Sequence, residues 1–450
     1  MATVSIDSPV SPVSPMARRR PFDAWPINRP STAEGPMYWF QTSGQDLSNM
    51  LREADCPQDI QRQFLTWYRD TICPQLGSKP EADSLKSVSG WDGNPFEYSF
   101  ELKGTTKNPG VRFAVDFAPL RPADKVNPLS LAPAQRVLDS LAKKGTMFDD
   151  NWHRALARWF THAHRSTEEQ QALISKVGYQ SSMMIGFDVA SKILIPGKLP
   201  VMAKDYFAPD MTAATMGINN WEVVSQGIRQ LPSIEQYPNI LSSVKMMEGY
   251  LAEHPGLENG TRGMSTDCVA PGLARLKIYM RYHGESFEEI WDYYTLGGRI
   301  PNLESDKETF RDLWNYTNGT FFDSEVDENG EKYEVKPGLL RHKPVAIYFS
   351  LSPKKPYPIP KIYFSPARKA PNDKVIARGL DAWLMKYGWY DGGKTMEERV
   401  TSVFTHRKLE EKVGIFTFVG LGRKESSDPS KAGLSLQVYL TPELYETPRV

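Results

Sequence analysis

The sequence contains only three cysteines in 450 residues, namely Cys56, Cys73 and Cys268, and no CxxC pair. Such sparse cysteines exclude a disulfide scaffold and are typical of a reducing compartment. No segment approaches the roughly 18 consecutive apolar residues that a membrane-spanning helix requires. Residues 1–15 also lack the basic start and the continuous apolar core of a signal peptide. We therefore expect a cytoplasmic protein that has no membrane partner.

The chain also lacks an excess of charge of either sign, because 54 Lys and Arg residues balance 54 Asp and Glu residues. Binding to a nucleic-acid backbone requires surplus basic charge, so a nucleic-acid partner is not expected. Glycine (32) and proline (35) are both too scarce for a fibrous or wholly disordered chain. These absences leave a globular protein, and a local basic pocket remains compatible with the neutral total.

The first 30 residues differ in composition from the rest of the chain. A Ser/Pro repeat over residues 8–15 cannot form backbone ladders, and three arginines follow it at residues 18–20. Residues 1–30 are therefore predicted to be a disordered tail. Helical and strand patterns then alternate to the C-terminus without a linker, which predicts a single domain over residues 31–450.

Periodic patterns predict strands that occur in pairs between amphipathic helices. Helical patterns lie at residues 36–76, 133–141, 149–161, 167–177, 221–229, 233–253, 287–296 and 307–316. Strand patterns lie at residues 96–102, 111–117, 182–188, 199–207, 275–282, 346–350, 361–364, 414–421 and 434–440. Alternating helix pairs and strand pairs indicate an α+β fold.

A motif of lysine, any residue and tyrosine recurs along these strands. It occurs at Lys204–Tyr206, Lys277–Tyr279 and Lys361–Tyr363, with glutamine in place of lysine at Gln437–Tyr439. The copies are separated by 73, 84 and 76 residues, enough for two strands and two helices, as in an internal repeat. Residues i and i+2 of a strand share one face of the sheet, so each copy places a polar head beside a phenol.

The chemistry of the repeat depends on whether the sheet closes. In a closed sheet these heads and tyrosines converge inside, and Arg275 adds a cation two residues before Lys277. Several cations bind a polyanion such as a diphosphate, and tyrosine faces stabilise a carbocation. Such an interior is suited to ionising an allylic diphosphate. The alternative is a set of unrelated surface strands, because a single Lys-x-Tyr tripeptide is common.

A metal site is not expected. The nearest approach to an Asp-rich, magnesium-binding DDxxD motif is the segment 149–153, Asp-Asp-Asn-Trp-His, which lacks the final acid. Acidic residues of this kind are typical of a helix start, where they suit the helix dipole. The basic side chains would replace the metal.

Glu97 is the candidate for the acceptor side of the site. It follows a turn at residues 92–95, Asp-Gly-Asn-Pro, and lies on the first predicted strand. Inside an aromatic-lined barrel, its carboxylate would accept a hydrogen bond from an N–H group, and desolvation would raise its pKa. Glu97 could therefore hold an indole N–H and increase the nucleophilicity of the ring. A surface glutamate is the alternative.

The chain resembles the fungal dimethylallyltryptophan synthase family of aromatic (indole) prenyltransferases from about residue 36 to residue 445. The segments that carry the resemblance are Asp92–Ser99, Val111–Phe113, Lys204–Pro209, Arg275–Tyr279, Thr295–Arg299 and Lys361–Phe364. The resemblance implies the ABBA prenyltransferase barrel, in which repeated αββα units form a ten-stranded antiparallel β-barrel surrounded by helices. It also implies that dimethylallyl diphosphate is the co-substrate and that no metal or other cofactor is required.

The resemblance also implies roles for individual residues. Glu97 is the implied catalytic residue, which accepts the indole N–H. The implied diphosphate-binding residues, whose tyrosines also shield the allyl cation, are Arg112, Lys204, Tyr206, Arg275, Lys277, Tyr279, Lys361, Tyr363, Gln437 and Tyr439. The base that removes the ring proton is left open, with Lys192 as a candidate. Arg262 is expected either to contact the acceptor or to be a loop charge.

We predict prenylation of the indole ring of a tryptophan-derived acceptor, such as a tryptophan-containing cyclic dipeptide, in secondary metabolism. Free tryptophan, an indole terpenoid or a phenol are alternative acceptors for the same chemistry. A non-catalytic barrel that binds hydrophobic anions is the alternative of another class. The expected partners are dimethylallyl diphosphate and the aromatic acceptor, and the assembly is left open between a monomer and a homodimer.

Overall fold

The computed structural model describes residues 34–80, 86–117, 127–145, 147–192, 195–284, 286–318, 320–424, 433–447 and 449. The predicted disordered tail, residues 1–30, lies outside the described residues.

Ten antiparallel strands form a closed barrel in which each strand pairs with its neighbours in the chain and the last strand pairs with the first. The strands are β1 (Phe96–Leu102), β2 (Gly110–Val115), β3 (Met183–Val189), β4 (Val201–Phe207), β5 (Thr261–Asp267), β6 (Leu276–Tyr282), β7 (Val345–Leu351), β8 (Ile359–Phe364), β9 (Phe416–Lys424) and β10 (Gly433–Leu440). Closure removes both sheet edges, so every strand has a partner on each side.

Helices separate the successive strand pairs, in the order expected of αββα repeats. The α-helices are α1 (Glu34–Trp39), α2 (Gln45–Glu53), α3 (Gln58–Trp67), α4 (Ala132–Lys144), α5 (Asn151–Phe160), α6 (Thr167–Val177), α7 (Asp210–Met216), α8 (Asn220–Arg229), α9 (Pro238–Glu253), α10 (Phe287–Thr295), α11 (Lys307–Asn318), α12 (Asp373–Lys386) and α13 (Met396–Val403). The predicted ABBA barrel is confirmed.

The hydrophobic core lies between the outer face of the barrel and the helices. Phe113 of β2 stacks on Phe187 of β3 at a centroid distance of 4.8 Å, and Phe64 and Trp67 of α3 pack edge-on against these two rings. Because alternate strand residues point to opposite faces, apolar outward positions leave the inward positions free for polar side chains. This division allows a stable barrel to have a charged interior.

Within the residues that the structure describes, one strand and three α-helices were not predicted from the sequence patterns. Strand β5, with the sequence Thr-Arg-Gly-Met-Ser-Thr-Asp, contains a single large apolar side chain, Met264, so its alternation is weak. Helix α7 has seven residues, too few for a clear helical period. Helices α12 and α13 were also not predicted, although buried residues of α12 such as Val375, Ile376 and Leu380 follow helical spacing.

None of the helices in the described part of the chain combines the length and the apolar character needed to cross a lipid bilayer.

Candidate active site

The barrel contains a cavity of about 580 Å³, and inward side chains from all ten strands line it. The structure brings together in this cavity all the site residues proposed from the sequence, which are Glu97, Arg112, Lys204, Tyr206, Arg275, Lys277, Tyr279, Lys361, Tyr363, Gln437 and Tyr439. The four copies of the repeated motif lie on β4, β6, β8 and β10, the second strand of each successive pair. The repeat read from the sequence is therefore a structural repeat around the barrel.

One end of the cavity is cationic. We call this part of the cavity the cationic end and define it by the five cations predicted from the sequence, which are Arg112, Lys204, Arg275, Lys277 and Lys361. Arg423 and Lys424 also line the cavity. Three buried carboxylates hold four of the five defining cations. Asp267 accepts from Arg275 at 2.7 Å and from Lys277 at 3.0 Å.

Asp188 and Glu101 form ion pairs with Lys204 and Arg112, the other two of these four cations. Asp188 contacts Lys204 at 2.5 Å and Arg112 at 3.2 Å, and Glu101 contacts Arg112 at 2.9 Å. Counted as formal charges, the five cations of the cationic end exceed the three carboxylates by two. The carboxylates orient the cations and reduce their mutual repulsion, while the excess charge favours an anionic ligand.

Burial lowers the pKa of all three lysines of the cationic end, Lys204 included. It lowers the pKa of Lys277 to about 7, although Asp267 opposes this shift. It also lowers the pKa of Lys361 to about 7, with Glu101 in opposition. Arg112 differs, because Asp188 and Glu101 outweigh its burial and raise its pKa. Lys277 and Lys361 are therefore partly protonated near neutral pH and would gain protons beside a polyanion.

Five tyrosines from five strands form a band across the middle of the cavity, which we call the tyrosine belt. They are Tyr206, Tyr279, Tyr348, Tyr363 and Tyr439. Successive ring centroids along this series, from Tyr206 to Tyr439, lie 5.8, 5.6, 5.7 and 5.3 Å apart. Burial raises the pKa of Tyr363 and Tyr439 well above the usual range, so both phenols stay neutral. The belt offers neutral aromatic faces that stabilise a cation without reacting with it.

Glu97 lies on the opposite side of the belt from the cationic end, because on β1 it is separated from Glu101 by Ser99, which pairs with Tyr439 of the belt. It shares this Glu97 end with Lys343, which lies two residues before the start of β7. Burial raises the pKa of Glu97 to about 7, and the charge of Lys343 limits the shift. Burial lowers the pKa of Lys343 to about 8, and Glu97 limits that shift in turn. This end therefore holds a hydrogen-bond acceptor and an amine that both titrate near neutral pH.

Two arginines and a tyrosine–aspartate pair complete the Glu97 end. Arg262 and Arg281 line the cavity on β5 and β6, so Arg262 is a strand residue and not a loop charge. Tyr179 donates a 2.5 Å hydrogen bond to Asp210, which also accepts from Asn220. Neither arginine has an ion-pair partner within the part of the chain that the structure describes.

Lys192, the candidate base, does not reach the cavity. It follows β3 and its side chain is exposed, while the inward positions of β3 are Met184, Gly186 and Asp188. Gly186 also leaves no room for a longer side chain, since a Cβ there would lie 2.7 Å from the ring of Tyr206. A base for this site must therefore come from another strand or loop.

Among the described residues, one group has the spacing of metal ligands, and it lies outside the cavity. His153, Asp205 and Cys268 place their ligand atoms within 4.8 Å of one another. Asp205 lies on β4 between Lys204 and Tyr206, whose side chains point inward, so its own side chain points outward. There it contacts His153 at 2.6 Å and accepts a hydrogen bond from the backbone N–H of Thr266. This group joins α5 to the barrel and does not contact the candidate site.

Comparisons with known proteins show the family of this chain. The sequence matches the profile of tryptophan dimethylallyltransferase over residues 37–399, which is most of the chain. The chain belongs to the tryptophan dimethylallyltransferase family. It is therefore an aromatic prenyltransferase, and dimethylallyl diphosphate is its prenyl donor. These findings confirm the family, the enzyme class and the co-substrate expected from the sequence.

Two fungal relatives share more than half of their aligned residues with this prenyltransferase. The DMATS-type prenyltransferase mfmD of Annulohypoxylon moriforme is 59% identical over 417 residues, which cover 92% of this chain and 93% of the relative. Prenyltransferase phnF of Penicillium herquei is 53% identical over 420 residues, with the same coverage of 92% and 93%. The 4-O-dimethylallyl-L-tyrosine synthase of Claviceps purpurea is 26% identical over 417 residues, covering 90% of this chain and 87% of the relative.

The fold is also that of a solved prenyltransferase. The structure of NotF in complex with brevianamide F and DMSPP superposes with a TM-score of 0.76 over 94% of this chain and 98% of that chain. The sequence identity is 18%, so this likeness supports the fold alone.

Sequence reasoning missed several residues of this prenyltransferase site. Tyr348 completes the belt. It could have been identified from the sequence, because it lies in the middle of a predicted strand, two positions from Ala346 and two from Ser350. Asp188 and Asp267 pair with cations from neighbouring strands, and no local pattern marks such contacts. Lys343 precedes β7 and meets Glu97 of β1 only across the interior of the closed barrel.

Proposed function

We propose that the cationic end binds the diphosphate group of dimethylallyl diphosphate and that the tyrosine belt surrounds its allyl group. The two excess positive charges of that end support the first assignment, and the neutral aromatic faces of the belt support the second. The bond between the allyl carbon and the diphosphate oxygen breaks, and the diphosphate keeps the electron pair. Cationic side chains stabilise the leaving group, so we propose that the reaction needs no metal.

The acceptor proposed here is a hydroxylated aromatic ring. The observation that carries this choice is the charge of the Glu97 end, where Lys343, Arg262 and Arg281 outnumber Glu97 and Asp210. A cationic environment favours the ionised form of a phenol, and a phenolate is a stronger nucleophile than a neutral ring. The name of the relative from Claviceps purpurea, 4-O-dimethylallyl-L-tyrosine synthase, also points to a phenolic substrate.

A tryptophan-derived indole, the acceptor predicted from the sequence, is the second candidate. Glu97 itself favours it, because a buried carboxylate accepts an indole N–H in an aromatic cavity. Arg262 and Arg281 would then contact carbonyl or carboxylate oxygens of the acceptor. The name brevianamide F in the NotF structure shows only what that relative binds.

The same bonds form and break with either acceptor. A ring carbon supplies an electron pair to the allyl cation and forms a carbon–carbon bond, and the ring then loses one proton and regains its aromaticity. The products are the prenylated acceptor, diphosphate and one proton. Cys56, Cys73 and Cys268 are buried free thiols, which supports the proposal that the reaction takes place in the cytoplasm.

The test is incubation of the purified protein with dimethylallyl diphosphate and EDTA against a panel of acceptors. The panel contains dihydroxynaphthalenes, hydroxyxanthones, L-tryptophan and tryptophan-containing cyclic dipeptides, and mass spectrometry detects the gain of one C5H8 unit. We expect products from the hydroxylated rings. Products from indoles alone would overturn the phenolic assignment in favour of the second candidate, and activity that EDTA abolishes would overturn metal independence.

A variant tests the role of Glu97 in the same assay. Glu97→Gln keeps the shape but removes the charge, so we expect kcat/KM to fall by about 100-fold or more. Binding of inorganic diphosphate should not change, because Glu97 lies on the other side of the tyrosine belt. Glu410→Gln, at an exposed position outside the cavity, is the matched control and should retain full activity. Wild-type turnover by Glu97→Gln would refute a role for this carboxylate.

A further inference from the structure

We propose that Lys343 is a catalytic residue whose neutral amine takes the proton that the acceptor ring loses. The proposal rests on the proposed function, since it requires an aromatic acceptor at the Glu97 end, but it holds for either acceptor class.

The position of Lys343 carries the proposal. Its Nζ lies 4.0 Å from the centroid of Phe418, an inward residue of β9. The ring of Phe418 lies 6.1 Å from that of Tyr363 in the tyrosine belt. One ring therefore separates the amine from the belt, and the amine is close enough to Glu97 for their charges to interact. Among the described residues, no carboxylate lies within ion-pair distance of this amine.

The carboxylates of the cavity are less suited to this role. Asp188, Asp267 and Glu101 are held in ion pairs at the cationic end. Asp210 is occupied by Tyr179 and Asn220. Glu97 is the remaining carboxylate, and it is the acceptor for the N–H of an indole or for a ring hydroxyl that keeps its proton, so a second group must take the ring proton.

Other groups that could act as a base are also unsuitable. The inward residues of β3 next to this end, Met184 and Gly186, have no basic atom, and Lys192 is exposed outside the cavity. Arginines keep their protons at neutral pH. Tyr206 has a pKa well above the usual range because it is buried. Lys343 is thus the lysine that the described chain places at the Glu97 end.

The surroundings of Lys343 suit both of its protonation states. Burial lowers its pKa to about 8, and nearby Arg281 acts in the same direction. About a tenth of the amine is therefore neutral at pH 7, far more than of an exposed lysine. Glu97 opposes the shift. After proton transfer, the carboxylate of Glu97 and the face of Phe418 stabilise the new ammonium group.

The proton transfer itself is balanced. Once the bond between the ring carbon and the allyl carbon has formed, that ring carbon still carries its hydrogen. The electron pair of this C–H bond returns to the ring, and the proton moves to the lone pair of Nζ. The resulting ammonium releases the proton to solvent when the products leave.

The first experiment uses Lys343→Met with the acceptor that the wild-type enzyme prenylates, and Lys192→Met as the control at an exposed lysine. We expect kcat to fall by about 100-fold with Lys343→Met. A primary deuterium isotope effect should appear with an acceptor deuterated at the attacked carbon, because proton removal becomes rate-limiting. Unchanged binding of inorganic diphosphate would show that the variant is folded. A wild-type rate, or a slow rate without an isotope effect, would overturn the proposal.

A second measurement needs no acceptor and so separates this proposal from the proposed function. Acetic anhydride modifies neutral amines, and mass spectrometry follows its reaction with Lys343 as a function of pH. We expect Lys343 to titrate near its pKa of about 8, and at a lower pH in Glu97→Gln because Glu97 raises that pKa. Titration like that of exposed Lys192, or no shift in Glu97→Gln, would overturn the proposal even if no acceptor were found.

Discussion

Lys277 and Lys361 show how burial prepares single residues for an anionic ligand. Each side chain is only 4–5% exposed, and burial brings the pKa of each to about 7. A diphosphate group beside these lysines favours their charged forms and raises both pKa values. Below pH 7 the lysines already carry their protons when the ligand arrives. Above pH 7 they must gain protons on binding, so affinity is linked to pH.

We therefore predict that diphosphate binds more weakly as the pH rises above about 7. If both lysines are recharged, Kd should increase by up to about 100-fold for each pH unit, and by about tenfold if only one is recharged. Isothermal titration calorimetry with inorganic diphosphate, from about pH 6 to about pH 9, measures this dependence. Titrations in two buffers of different ionisation enthalpy should show proton uptake at the higher pH values.

Variants identify the lysines responsible for that proton uptake. Lys361→Met should weaken binding near pH 6 and reduce proton uptake at higher pH, because one titrating amine is gone. Lys192→Met, at an exposed position outside the cavity, should leave both quantities unchanged. A Kd that does not depend on pH would show that both lysines keep their charge in the empty site.

At the scale of secondary structure, glycines on neighbouring strands make room for the side chains of the repeated motif. A Cβ at Gly420 of β9 would lie 2.8 Å from two ring atoms of Tyr363 on β8. A Cβ at Gly186 of β3 would lie 2.7 Å from the ring of Tyr206 on β4. Both distances are too short for real contacts, so each tyrosine occupies its place in the belt because the adjacent strand lacks a side chain there.

We predict that Gly420→Ala damages the tyrosine belt. The new methyl group displaces the ring of Tyr363, so water gains access to the allyl cation. Product formation should fall, and the fraction of dimethylallyl diphosphate converted to dimethylallyl alcohol should rise, as measured by chromatography. Gly249→Ala is the control, because its Cβ would meet no atom within 4 Å on α9. An unchanged ratio of alcohol to prenylated product in Gly420→Ala would contradict the role of the belt in excluding water.

The sequence patterns identified nine of the ten strands, because alternation of apolar and polar residues is a local property. Strand β5 lacks this signal, since its inward residues Gly263, Ser265 and Asp267 are small or charged. Tertiary pairing with β4 and β6 compensates for the weak local preference. The strand that was not predicted is thus one whose inward residues belong to the site and not to the hydrophobic core.

The same distinction applies to the residues of the candidate site. The repeated motif was readable because residues two apart on a strand share a face, and this local rule holds wherever the strand lies. The contact between Asp188 and Lys204 depends on the register between β3 and β4. The approach of Lys343 to Phe418 depends on the loop before β7. Contacts between distant segments follow from the closed barrel, and no spacing within the sequence indicates them.

For the molecule as a whole, a neutral net charge conceals a strongly uneven distribution of charge. The 54 basic and 54 acidic residues balance, yet the cationic end of the cavity holds an excess of positive charge. The tyrosine belt separates this end from Glu97 and Lys343, so the leaving group and the acceptor occupy opposite sides of one cavity. Both ends keep their geometry only while the barrel remains closed between β10 and β1.

A buried ion cluster holds the last strands of the barrel in place. The guanidinium of Arg407 pairs with Asp373 at the start of α12 and, at 2.7 Å, with Glu443, which follows β10. Asp373 also accepts the backbone N–H groups of Gly414, Ile415 and Phe416, which lead into β9. The cluster thus links α12 to the ends of both closing strands.

We predict that Arg407→Met is strongly destabilising, because it leaves two buried carboxylates without their cation. Breaking a buried pair in this way costs about 3–5 kcal/mol, and urea denaturation measures the loss in the free energy of unfolding.

Arg229→Met is the control. Its partner Glu248 is also partly exposed, so the loss should stay below about 1 kcal/mol. Gln437 and Tyr439 lie on β10, the strand that this cluster holds. We therefore expect Arg407→Met also to bind diphosphate more weakly than the wild-type protein. Equal stability of the two variants would mean that closure of the barrel relies on the strand pairing of β1 with β10 and not on this cluster.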